Sequence, residues 1–137
     1  MAIEKSVSSS MMRFEFKDGD DVIAFFRMNP ADVKLAQRVQ RVGAYFEELG
    51  DKLPTNATLE DAIKFNDDIE EKFCEILGYN ARDSLFGLIS ATSIMEDGNL
   101  FAHHVLDAII EHVAPVIKKR NHAMAAAVAK HTAKYEK

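Results

Sequence analysis

The chain changes its hydrophobic period once, at Asn29-Pro30, and that switch limits what it can fold into. Before it, "MMRFEFK" alternates strictly: Met12, Phe14 and Phe16 share one side, and Arg13, Glu15 and Lys17 the other. A period of two marks a half-buried strand. Asp18-Gly19 is a turn signal, and "VIAFFRM" beyond it is rich in strand formers, so the two runs read as a β-hairpin. The rival reading makes Asp21–Met28 a helical turn. After the switch, the apolar residues repeat at three and four. The expected fold is therefore mainly α: a small helical domain of about five helices with a short N-terminal β-hairpin.

Asn29-Pro30-Ala31-Asp32 has the chemistry of a helix start. Asn29 can cap free amides, Pro30 suits the first helical position, and Asp32 favours the positive end of the dipole. Leu35, Val39, Val42, Phe46 and Leu49 then fall on one narrow arc, and Gly50 and Pro54 stop the element. A second helix begins near Thr58, with Asp61 completing an acidic capping box. Ala62, Phe65, Ile69, Phe73 and Ile76 form its inner face. Its outer face carries Glu60, Asp61, Asp67, Asp68, Glu70, Glu71 and Glu75 against Lys64 and Lys72, and Gly78 ends it. Asn80 opens a short helix, and "MEDGN" is a loop. Leu100–Lys119 is amphipathic, one half filled by Val105, Leu106, Ile109, Ile110, Val113, Val116 and Ile117. Pro115 is expected to kink or divide it, leaving a basic, alanine-rich helix over 119–134. Residues 1–10 read as a flexible tail, and 11–137 as a single domain.

The 137 residues suit one domain, and 47% hydrophobic with 28% charged residues is an ordinary globular composition. A net charge of −5 argues against a broad nucleic-acid surface. The lone Cys74 cannot form an internal disulfide, which favours a reducing compartment. "MAIEKSVSSSMM" lacks the apolar run of a signal peptide, and no segment approaches the roughly 18 apolar residues of a membrane span. A cytoplasmic protein binding neither nucleic acid nor membrane is expected.

The most chemical-looking stretch is "HHVLDAIIEH". On a helix, His103, His104, Asp107 and Glu111 share a polar arc, and residues at such spacing can hold a metal if they converge. A solvated helix face explains the same pattern, and neither HExxH nor a paired ExxH accompanies it. His112 lies beside the apolar edge, where a packed, hydrogen-bonded ring is expected. Cys74 has acidic neighbours, which disfavour a thiolate nucleophile. The glycines form no phosphate loop, and the acids lack the alternation of a calcium loop. No catalytic residue, cofactor or metal ligand is assigned, and the chain reads as a non-enzyme. Its basic C-terminal stretch reads as a solvated helix, or as an arm complementing an acidic surface. The helix at 58–75 is one such surface, within the chain or on a neighbouring copy.

The stripe from Leu35 has the four-three spacing of a coiled-coil seam but spans only about two heptads, fewer than coiled coils normally need. It serves either the core or a second chain. Tyr45, Leu77, Leu88 and Ile89 add apolar bulk at the helix margins, the kind of surplus that binds other chains.

Three stretches together resemble a known family. They are a strand followed by "FRMNPADVKLAQRV", a helix ending in "FCEILGYNARDSLFG", and "EDGNLFAHHVLDAIIEHVAPVI" before an Ala/Lys helix ending in "KY". In this order they resemble the small tail assembly chaperones of siphophages and prophages of Gram-positive hosts, over roughly Met11 to Tyr135. The resemblance implies a non-catalytic protein of the host cytoplasm. Such proteins coat the helical tape measure protein until tail tube protein polymerises around it, and many have a longer, frameshifted form. It implies the tape measure protein as partner, with tail tube protein as another; self-association of the chain is a further expectation. The groove expected for such a partner lies between the 31–49 and 100–117 helices, with Leu35, Val39, Val42 and Phe46 facing Phe101 and Val105. The competing readings are a structural tail or head-completion protein retained in the virion, a metal enzyme using the His103 face, and a DNA-binding regulator.

Overall fold

A computed structural model describes residues 2–7, 10–48 and 56–133. Strands β1 (Met12–Asp18) and β2 (Asp21–Met28) are followed by helices α1 (Val33–Glu47), α2 (Leu59–Leu77), α3 (Arg82–Phe86) and α4 (Phe101–Ala133). The fold is mainly α, with the hairpin at its N-terminal end. Among the described residues there are four helices rather than about five. The difference lies at Pro115, which sits inside one continuous helix running to Ala133. Proline removes the amide that would bond the Glu111 carbonyl. Both residues are exposed, so solvent can take that carbonyl and the helix need not end.

The hairpin follows from its turn. Gly19 has φ +62°, a conformation that side chains with a Cβ resist, at the first central position of a two-residue turn. The strands pair Met12 with Met28, Phe14 with Phe26 and Phe16 with Ala24. Lys17 then pairs with Val22, which leaves Ile23 as a bulge. Opposed residues share a face, so Phe14, Phe16, Ala24, Phe26 and Met28 all turn toward the helices. On the other face, the Arg13 guanidinium lies 3.8 Å from the centre of the Phe25 ring.

The start of α1 differs from the sequence expectation. Asp32 is the cap, its carboxylate accepting from the Lys34 amide at 2.9 Å. Asn29 instead builds the preceding turn: its side chain accepts from Ala31 N–H and its carbonyl from Asp32 N–H. Pro30, with its fixed φ, suits the second position of that turn. The described helix ends at Glu47; Leu49, Gly50 and Pro54 lie outside the described residues.

Helix α2 starts with the expected capping box, Thr58 and Asp61 exchanging bonds at 3.2 and 3.0 Å. It ends at Gly78, at φ +80°, whose amide donates to Cys74. Arg38 from α1 donates to the Ile76 carbonyl at 2.6 Å, satisfying a second terminal acceptor. No side chain before α4 caps it. The Phe101 and Ala102 amides donate instead to the Ser93 and Ala91 carbonyls, so the preceding loop holds the helix start.

The core runs through the molecule as a series of ring contacts. Phe14 stacks on Phe26 at 5.2 Å, Phe26 meets Phe16, and Phe16 meets Phe101 edge-on at 5.4 Å. The series continues through Phe86 and Phe73 to Phe46 on α1. Leu35, Ile69, Ile76, Leu85, Val105 and Ile109 fill the space around it. Hairpin and helices thus share one apolar interior.

Candidate partner-binding groove

The six residues assigned to a binding face do not share one environment. Leu35, Val42, Phe46, Phe101 and Val105 are buried, none more than 9% exposed. Val39 is half-buried and packs at the edge of the core. The described part of the four-three stripe of α1 therefore faces the interior, with Val39 at its edge.

Val39 and the neighbouring face of α1 form a groove against α4. From α1 come Val33, Ala36, Gln37, Val39 and Gln40; from α4 come Ile110, Val113 and Ala114. Its volume is about 450 Å³. Small Ala36 and Ala114 leave the space, while Val33 and Ile110, each 43% exposed, present apolar surface. Among the described residues no charged side chain lines it. An apolar trough with glutamines beside it accepts apolar side chains and can hydrogen-bond a neighbouring backbone or amide. It offers no nucleophile, acid or base.

A second depression, of about 470 Å³, lies between the hairpin and the start of α4. It includes Phe16, Ile23, Met95 and Phe101. Asp97 and His104 at its rim pair at 2.9 Å. The Asn99 amide, and then His104, hold the Asp97 carboxyl below its ordinary 3.8. This pairing removes His104 from the polar arc read in the sequence. His103 is also engaged, its Nδ1 accepting from the Leu100 amide at 3.1 Å. His112 packs edge-on against Phe14 at 4.8 Å and contacts the Ala108 carbonyl. Among the described residues no three His, Cys, Asp or Glu side chains are grouped to hold a metal. Half-buried Cys74 approaches Asn80 Oδ1 at 3.9 Å.

One polar cluster escapes a sequence reading altogether. Glu70, counted among the outer acids of α2, is in fact buried. It accepts from Asn66 at 2.8 Å, from Arg82 at 3.2 and 3.3 Å and from the Ala91 amide at 3.2 Å. Asn66 in turn accepts from the amide and hydroxyl of Thr92, and Arg82 also reaches Asp67 at 2.8 Å. The cluster ties α2 to α3 and to the loop that caps α4. Its members lie up to 26 residues apart, beyond the reach of any helical periodicity.

Among the described residues no helix is long and apolar enough to cross a membrane. Comparison with protein-family models, with curated proteins and with solved structures returns no match.

Proposed function

We propose that this chain is a non-catalytic assembly chaperone of phage tails, which holds an amphipathic helix of the tape measure protein in the groove between α1 and α4. The observation that carries the reading is the uncharged apolar lining of that groove, with Val33 and Ile110 left open to solvent. Helix-in-groove recognition uses apolar anchors spaced one turn apart, which such a trough accepts. The identity of the partner rests on the sequence resemblance.

The test is binding of the purified chain to helical segments of a tape measure protein. Val33→Asp and Ile110→Asp place a charge in the groove without touching the core. Each is expected to fold normally and to weaken binding by at least ~10-fold, since desolvating an unpaired charge costs more than the roughly 1.4 kcal/mol that tenfold represents. Leu88→Asp, on an exposed residue outside the groove, is the control and should bind as the wild type does. No binding by the wild type, or full binding by both groove variants, would overturn the proposal. Mass spectrometry of purified particles separates the chaperone from a retained tail or head-completion protein, because only the latter stays in the virion.

A further inference from the structure

Helix α4 continues well past the domain that its first half helps to build. Among the described residues, its last side chain packed against the core is Ile117. Lys118, Lys119, His122, Met124 and Val128 beyond it are exposed. The stretch 118–133 spans about 24 Å at 1.5 Å per residue. An isolated helix of this length is marginal in water even when rich in alanine. It is nevertheless amphipathic: Ile110, Val113, Ile117, Met124 and Val128 lie within an arc of roughly 60° at helical periodicity. The groove-lining face of α4 thus extends along the arm, where Met124 and Val128 are 48% and 60% exposed.

The start of α2 has the opposite charge and the same surplus of apolar surface. Leu59 and Ile63 are 78% and 54% exposed. Leu59–Glu71 contains six acids and only Lys64 as a base, whereas 118–133 contains Lys118, Lys119, Arg120 and Lys130 and no acid. Arg82 holds Asp67 and Glu70. Glu60 and Glu71, like Lys118 and Lys119, make no hydrogen bond or ion pair among the described residues. The two faces do not cover each other within the chain.

We propose that the basic arm of α4 docks on the acidic N-terminal half of α2 in a second copy of this chain. Met124 and Val128 meet Leu59 and Ile63, and the lysines face Glu60 and Glu71. Reciprocal docking closes a two-fold dimer with two identical contacts. Opposite net charges favour this pairing over arm on arm or α2 on α2, where like charges repel. The association goes beyond partner binding in the groove and needs no tape measure protein.

Sedimentation of the full chain alone tests it. At low salt the mass is expected to rise with concentration above the 15.4 kDa of one chain, and to fall back near 1 M salt, where the screening length is only about 3 Å. Lys118→Glu with Lys119→Glu should weaken self-association at least ~10-fold, as should Val128→Asp. All three positions are exposed, so circular dichroism of the domain should be unchanged. Mixing the double lysine variant with a Glu60→Lys, Glu71→Lys chain should restore a mixed complex. A chain that stays monomeric at low salt overturns the proposal. So does an oligomer that ignores both salt and the charge reversals. Neither outcome bears on the groove, which is read by binding to a different protein.

Discussion

At the scale of single residues, burial separates apolar side chains on opposite sides of one helix. Val42 and Val33 both lie on α1, yet Val42 is 4% exposed and Val33 is 43% exposed. Val42→Asp is expected to unfold the domain, because a carboxylate would sit unpaired in the interior at a cost of several kcal/mol. Loss of the helical circular dichroism signal is the check, and Val33→Asp should keep that signal. Gly78 carries a second residue-scale constraint. A side chain there must adopt φ +80°, and its Cβ would lie 3.3 Å from Nη2 of Arg38. Gly78→Ala should lower stability by about 1–2 kcal/mol, read as a shift in the urea midpoint with unchanged slope.

Among the elements, α2 is the one that organises its neighbours. Its buried Glu70 accepts the Ala91 amide and the Arg82 guanidinium, so it sets where the loop before α4 lies. Glu70→Ala would leave the Ala91 amide without its acceptor and Arg82 with Asp67 alone, and a loss on the order of 2–3 kcal/mol is expected in chemical denaturation. Arg82→Ala should cost less, because that side chain is 43% exposed and water can replace it. The loop itself carries a pH dependence. Asp97 has a folded carboxyl below its ordinary 3.8, so its contribution is fully present above that value. It is lost as pH falls through the lower folded value. Asp97→Asn should remove this acid-side component, which a comparison of urea midpoints at neutral and acidic pH would reveal.

For the whole molecule, the aromatic series joins the hairpin to α1 through α4, α3 and α2, so the parts are expected to unfold together. The described side chains of the arm beyond Ile117 lie outside that interior. A chain ending at Ile117 should therefore melt within a few degrees of the full chain, a shift corresponding to less than about 1 kcal/mol for a domain of this size. The same truncation should abolish the salt-sensitive association. A large drop in melting temperature would place the arm inside the cooperative unit instead.

Local chemistry was enough to define most elements. The alternation of Met12–Phe16, the Asp18-Gly19 turn, the Thr58–Asp61 box and Gly78 as a helix stop all act over a few residues, where backbone sterics and short hydrogen bonds decide. Tertiary structure decided the rest. It put Leu35, Val42, Phe46, Phe101 and Val105 in the interior, because a period gives a face but not what that face meets, and it lined the groove with Ile110 and with Val33, which lies off the α1 stripe. It buried Glu70 among donors 4 to 21 residues away, and it carried α4 through Pro115, where solvent takes the carbonyl that a buried helix could not leave unpaired. Burial depends on which elements pack, and that is a property of the assembled chain.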